Sequence, residues 1–180
     1  CSPVASAGVD KEFCEGDGGV QLDASVTGGT LPYFYSWTCN NAPNCGIDSV
    51  DVQDPRVNPN VFQPTEEVTY YLLVTDVNGC TSALDSVVVT VKAKPKMDAG
   101  RDTSICPNPA PGIFLTGDLA ADNNAPEPIT YQWAPAAGLN DPTLPNPFGP
   151  PDTTTIYTLI GTSINGCSSD ATTIDPRSTV

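Results

Sequence analysis

"VTDVNGC", residues 74–80, returns as "GTSINGC", residues 161–167, an offset of 87 positions (161 − 74). Each copy follows an apolar and aromatic run, "TYYLL" in the first and "IYTLI" in the second. Asn-Gly is the favoured pair for a two-residue hairpin turn, because both central positions take positive φ. The stretch therefore predicts a strand over 68–76, a turn at Val77, Asn78 and Gly79, and a return strand from Cys80 to Val91. Asn165-Gly166 predicts the same hairpin again. A hairpin spelled twice in one chain predicts two copies of one β module.

Other phrases repeat in the same order. "AGVDKEFC" (7–14) answers "AGRDTSIC" (99–106), "VQL" (20–22) answers "IFL" (113–115), and "PYFYSW" (32–37) answers "PITYQW" (128–133). The offsets drift while the order holds, as when strands are kept and loops vary. The expected organisation is a module over 1–91, a stiff hydrophilic linker over 92–96 ("KAKPK"), and a second module over 97–180. The linker holds Lys92, Lys94 and Lys96 and is read as a solvated spacer.

Composition agrees with an all-β chain. Gly (15) and Pro (19) are abundant and only 16% of residues are charged, a punctuation rate that disfavours long helices. Tyr33, Tyr35 and Trp37 alternate, as do Ile129, Tyr131 and Trp133, so each set faces one way. Trp37 and Trp133 are the expected core plugs between two sheets. Phe34 then points outward, where the second copy has Thr130. Tyr70 and Tyr157 fall where sandwich folds place a corner tyrosine.

The formal net charge of −14, from 21 acids against 7 bases, argues against nucleic acid, which needs clustered Lys and Arg. No apolar stretch reaches the length that spans a bilayer, so membrane insertion is not expected. No leader segment is visible, which points to a mature or trimmed chain beginning at Cys1. Seven cysteines in a loop-rich chain point to an oxidising compartment and disulfides. The symmetry of the two copies pairs Cys14 with Cys80 and Cys106 with Cys167, each closure contributing about 4 kcal/mol in the chain-entropy model. Cys39 and Cys45, in "TCNNAPNC", are expected to close a loop after the Trp strand of the first module. Cys1 is left over, with three readings open: a bond to another chain, a pairing lost by trimming, or a lipid-modified first residue.

Catalytic chemistry finds little support. With no His and no C-x-x-C, neither a His-based triad nor a close-paired zinc site is spelled out. No G-x-S-x-G elbow or phosphate-cradling loop occurs, and the expectation is a protein that is not an enzyme. Calcium is the remaining cofactor to consider, since it takes six to eight oxygens from carboxylates and carbonyls. Asp10 and Asp102 stand at equivalent places before each module's first cysteine, and Asp76 lies beside the first hairpin turn. Against this, there is no D-x-D-x-D loop, and such aspartates commonly form turns.

Taken as an ordered set, "AGRDTSIC", "YQW", "AGLNDPTLPNP", "PPDTTTIYTL" and "NGC" resemble the Ig-like/PKD-like repeats of large secreted surface proteins of Bacteroidota, including gliding-motility adhesins and type IX secretion cargo. The first module departs at "TCNNAPNC" and rejoins at "NPNVFQPTEEVTYYLLVTDVNGC". The resemblance implies two tandem Ig-like/PKD-like β-sandwich domains and a bacterial extracellular or cell-surface location, and the cysteine pairing read from copy symmetry would clamp each domain by a disulfide. It implies a structural or adhesive role, extending to the repeating subunit of a filament, with other copies of the chain or neighbouring repeats as partners. The alternative is a carbohydrate- or ligand-binding accessory module of a secreted protein, with glycans as partners. The resemblance also draws attention to O-glycosylation at Ser49, Ser86 and Thr153, each following an Asp in a D-S/T-x triplet.

Overall fold

The computed structural model describes residues 2–40, 45–59, 67–105, 112–150, 153–174 and 177–178. It divides into two compact units, 1–92 and 93–180. Among the described residues there is no helix, and so none long and apolar enough to cross a membrane.

The first unit contains β1 (Val4–Ser6), β2 (Lys11–Cys14), β3 (Val20–Gln21), β4 (Ser25–Thr27), β5 (Tyr33–Cys39), β6 (Arg56–Val57), β7 (Glu67–Asp76) and β8 (Asp85–Lys92). One sheet has the order β2-β8-β7-β5; the pairs β1-β4 and β3-β6 supply the other layer. β2 runs parallel to β8, with Lys11 opposite Val89 and Cys14 opposite Lys92, while β7 is antiparallel to both of its neighbours. The β7 side chains alternate strictly, so Val68, Tyr70, Leu72 and Val74 enter the core and Thr69, Tyr71, Leu73 and Thr75 face out. Ala7, Leu22 and Val57 of the second layer close over them and over Trp37. Burying several such side chains, each contributing about 1.5–3 kcal/mol, drives the layers together.

The second unit repeats the plan with β9 (Met97–Asp98), β10 (Ser104–Ile105), β11 (Ile113–Phe114), β12 (Asp118–Leu119), β13 (Ile129–Ala134), β14 (Phe148–Gly149), β15 (Tyr157–Ser163), β16 (Thr172–Ile174) and β17 (Arg177–Ser178). β9-β12 corresponds to β1-β4, β11-β14 to β3-β6, and β13-β15-β16 to β5-β7-β8. β10 lies parallel to β17, as β2 lies parallel to β8. Met97, Leu115, Trp133, Tyr157 and Leu159 form its core.

The two tryptophans are held alike. Trp37 is 2% exposed and Trp133 is 0% exposed. Each indole N–H donates to a loop carbonyl, that of Val52 (3.0 Å) and that of Leu144 (3.2 Å). The "AG" of each module has a physical reason too. Gly8 and Gly100 have φ of 93° and 85°, and a Cβ there would meet the Asp23 carbonyl oxygen at 2.6 Å or Thr116 Oγ1 at 2.3 Å. Only glycine fits both the dihedral and the space.

Three expectations are corrected. The stretch 92–96 is not a solvated spacer: Lys92 ends β8, and Ala93 to Lys96 are built into the second unit. Ala93 is buried and its carbonyl accepts from Asn165 Nδ2 (2.9 Å); the Lys96 carbonyl accepts from the Ala120 N–H, and its ammonium pairs with Asp122. The Asn-Gly turn is not a two-residue turn. Gly79 N–H donates to Asp76 O and Asp76 N–H to Cys80 O, so Val77 and Asn78 are the central residues and Gly79, at φ 81°, follows them. That is a three-residue loop whose glycine takes the left-handed position. With the longer loop goes a later return strand, which begins at Asp85 after an isolated bridge between Thr75 and Thr81, as part of this second correction.

The third correction concerns Cys80, whose thiol is free and half-buried, while Cys14 sits in a disulfide with another partner. Cys14 stands opposite Lys92 at one end of β8, and Cys80 lies at the turn beyond the other end. The seven steps from Asp85 to Lys92 alone span about 23 Å at ~3.3 Å per residue. A disulfide tolerates at most about 7 Å between Cα atoms, so the parallel course of β2 rules this pairing out. Cys39 and Cys45 are bonded to each other, with Cα atoms 5.9 Å apart. Cys167 is disulfide-bonded; Cys1 and Cys106 lie outside the described residues.

Candidate interaction surface

The residues singled out in the sequence fall into two groups, those consumed by the scaffold and those presented on it. Asp76 belongs to the first group. It is 2% exposed, and its Oδ1 accepts from the N–H of Asn78 (2.9 Å) and Cys80 (2.9 Å) while Oδ2 accepts from Thr30 (3.0 Å). The Cys80 N–H first, then those of Thr30 and Asn78, hold its carboxyl below the usual carboxylate range against the opposing effect of burial. The carboxylate thus ties the 77–79 loop to the 30–33 segment.

Asp10 is also engaged, its Oδ1 accepting from Val88 N–H (2.9 Å). Val88 pairs with Thr69, seven residues along β7 from Asp76, or about 23 Å at strand spacing. Asp102 is exposed and belongs to the second unit. The structure therefore does not bring Asp10 and Asp76 to one place. Among the described residues no group of three or more His, Cys, Asp or Glu stands together to hold a metal ion.

Tyr70 donates its hydroxyl to the Cys45 carbonyl, and burial pushes its phenol well above the ordinary tyrosine value. The bond ties β7 to the end of the disulfide-closed loop. Burial likewise raises Tyr157.

The presented residues lie mainly on the outer face of the β2-β8-β7-β5 sheet. Phe34 is 58% exposed and stands opposite Thr75; Leu73 is opposite Ser36, and Tyr71 is opposite Thr38 on one side and Ser86 on the other. Apart from Glu12, Glu67 and Lys92 at its far end, this face is apolar or hydroxylated. At the near end Leu31, Val77 and Leu84 are also exposed, and Val77 N–H donates to Thr30 O (3.2 Å). The second unit carries Thr130, Gln132 and Ala134 on β13 and Thr158, Ile160 and Thr162 on β15 at the corresponding places.

Of the three hydroxyls in Asp-Ser/Thr triplets, Ser49 is half-exposed and donates to the Asp51 carboxylate, and Ser86 is exposed on β8. Thr153 is exposed, its carbonyl accepting from the Thr155 hydroxyl (2.9 Å).

A further aromatic pair, exposed at Phe114 and half-buried at Phe148, is brought together by the fold. Phe114 on β11 is 69% exposed and lies directly opposite Phe148 on β14, ring centroids 5.1 Å apart and planes tilted by 56°. The first unit has Gln21 and Arg56 there, the Arg56 guanidinium donating to Gly18 O and Gly19 O (3.0 Å each). The sequence carries the signal, because "IFL" aligns with "VQL" and "PFG" with "PRV".

No family model matches the chain, and no curated protein matches it. Among solved structures it is similar to the PKD domain of human KIAA0319, at 20% identity over 51% of this chain and 82% of that one, with a TM-score of 0.40. It is similar to extracellular domains 3–5 of Drosophila OTK, at 13% identity over 99% of this chain and 60% of that one, with a TM-score of 0.46. It is also similar to Drosophila N-cadherin EC1-3, at 16% identity over 99% and 67%, with a TM-score of 0.36. The described residues form an all-β protein of two compact β-sandwich units that contains disulfides.

Proposed function

We propose that the chain is a non-enzymatic structural or adhesive module pair of an extracellular protein. One observation carries this reading: the two units repeat each other down to single hydrogen bonds. Ser82 N–H donates to Val74 O (2.8 Å) and Ser82 Oγ accepts from Val74 N–H (3.1 Å); Ser169 and Gly161 reproduce both bonds, at 2.8 and 3.0 Å. Asp48 accepts from Arg56 N–H (2.9 Å) where Asn140 accepts from Phe148 N–H (2.8 Å). What the copies share is scaffold, and what they differ in is the exposed surface. That is the pattern of a spacer strung in series, with contact residues varied on a fixed frame.

The finer form of the reading is a repeating subunit of a bacterial surface filament, exported in the manner of the Bacteroidota proteins whose repeats the sequence resembles. Heterologous contacts between copies would propagate such a filament. The Phe34, Tyr71 and Leu73 face is the surface that best suits a partner. Ser49, Ser86 and Thr153 are accessible for O-glycosylation, which intact-mass measurement of native protein would reveal. Negative-stain electron microscopy of purified native protein, over a range of concentration, salt and calcium, tests assembly. Filaments are expected; monodisperse particles under every condition would sink the filament and leave the spacer.

A second reading is favoured by the Phe114–Phe148 pair. The exposed Phe114 ring beside the half-buried Phe148 ring offers an apolar platform of the kind on which sugar rings stack. A glycan array with the wild type and Phe114→Ala decides it, selective binding lost in the variant supporting a carbohydrate-binding module.

A further inference from the structure

The two hairpin loops share a backbone but not the environment of their asparagine. In both, the glycine N–H that follows the asparagine donates to the residue three positions earlier: Gly79 to Asp76 O and Gly166 to Ser163 O, each at 2.9 Å. In both, the glycine has positive φ (81° and 85°) and open space on its Cα. The side chains differ. Asn165 is braced: its Nδ2 donates to Ala93 O (2.9 Å), and its Oδ1 accepts from Cys167 N–H (3.0 Å) and from the Ser163 hydroxyl. Asn78 is exposed, and among the described residues its carboxamide has no hydrogen-bond partner. The work of satisfying the loop's N–H groups falls instead to Asp76.

We propose that Asn78 is a site of spontaneous deamidation, and that Asn165, in the same loop of the second unit, is protected. The step needs no cofactor. The Gly79 amide nitrogen loses its proton to solvent base and attacks Cγ of Asn78, forming the N–Cγ bond of a five-membered succinimide. The bond from Cγ to the side-chain nitrogen breaks, and ammonia leaves with a proton from water. Water then adds to one of the two imide carbonyls. Opening at Cγ gives aspartate, and opening at the main-chain carbonyl gives isoaspartate. The net change is amide plus water to carboxylate plus ammonium, with no oxidation or reduction.

Glycine assists by offering no side chain to obstruct the attacking nitrogen, and the free carboxamide of Asn78 can rotate Cγ toward it. Asn165 must first release its hydrogen bonds to do so. The product matters locally. Either acid places a second carboxylate beside buried Asp76, and isoaspartate inserts an extra backbone atom into a three-residue loop fastened by the Asn78 N–H to Asp76 bond. The hairpin end of the first unit, where Leu31 and Val77 are exposed, would loosen while that of the second stayed intact.

The full chain, folded and disulfide-bonded, is incubated in mildly alkaline buffer, digested, and its two Asn-Gly peptides are followed by mass and by isoaspartate-sensitive chromatography. The same chain, reduced and unfolded in denaturant, is the reference. Asn78 is expected to convert at least about tenfold faster than Asn165 in the folded chain, a barrier difference of about 1.4 kcal/mol, with the gap closing in the unfolded reference. Equal rates in the folded chain, faster conversion of Asn165, or no conversion at Asn78 while the unfolded reference converts would each overturn the proposal. In Asn78→Gln, whose ring closure is slower, the mass gain should vanish from that peptide; its persistence would place the reaction elsewhere.

Discussion

The two units spell one plan with different resources. The first lines its core with Val68, Tyr70, Leu72 and Val74 of β7 and Val87, Val89 and Val91 of β8. Among the described residues the second has Tyr157 and Leu159 of β15, and Gly161 stands where the first has Val74. A Cβ on Gly161 would meet Met97 Sδ at 2.3 Å, so a methionine from β9 occupies the volume that a strand valine fills in the first unit. Methionine adapts to irregular gaps but specifies packing less sharply. The first unit also adds the Cys39–Cys45 loop and the Asp76 cap, neither of which the second possesses at the equivalent places. One topology therefore fills the same volume either with a strand valine or with a methionine from a neighbouring strand.

The largest test of that difference is removal of each tryptophan. Trp37→Ala and Trp133→Ala should each cost about 3–5 kcal/mol. Calorimetry of the wild type is expected to show the second unit melting first. Trp133→Ala should lower that transition and Trp37→Ala the later one. A second unit that outlasts the first would break the comparison. The Cys39→Ala/Cys45→Ala double variant removes a loop closure of about 2 kcal/mol from the first unit alone. Its measure is the shift of one transition with the other unmoved.

Asp76 sharpens the contrast by pH. Its folded pKa lies below the ordinary value, so its contribution is complete above about pH 4 and is lost as pH falls through the depressed folded value. Acid titration of the two transitions should show this loss in the first unit and not at the equivalent Ser163 of the second. In Asp76→Asn the first unit should melt lower at neutral pH and lose this acid dependence; an unchanged acid profile would assign it elsewhere. The smallest effect on stability is expected at Phe34→Ser, within about 0.5 kcal/mol for a surface change. Its readout is assembly, with sedimentation at rising concentration expected to show weaker self-association than the wild type.

Much of this architecture was legible in the sequence, for physical reasons. The alternation of Tyr33, Tyr35 and Trp37 is the pleat written in residues, and a repeated Asn-Gly marks the hairpins whatever its detailed turn. The parallel course of β2 beside β8 was not legible, because no local pattern distinguishes a parallel neighbour from an antiparallel one in a short strand. Copy symmetry alone then paired Cys14 with Cys80 across the length of a sheet. Asp76 looked like a surface ligand because its three N–H partners come from Thr30, Asn78 and Cys80, one of them distant in sequence. The lysines of 92–96 looked like a spacer because charge was visible and the bond from Asn165 to Ala93 was not. Phe114 and Phe148 are 34 positions apart (148 − 114), and only the β11-β14 pairing brings the rings together.

The parallel pair that defeated the cysteine assignment has a mechanical meaning. In the first unit the chain enters β2 from the Lys11 end and leaves β8 at the Lys92 end, and these ends lie at opposite extremes of the pair. A pull applied between Lys11 and Lys92 slides β2 along β8, loading their hydrogen bonds together in shear. Had the strands been antiparallel, the same pull would have peeled the bonds apart one after another. β10 and β17 repeat the arrangement in the second unit. The parallel pair thus gives each module a place where a pull along the chain meets several hydrogen bonds at once.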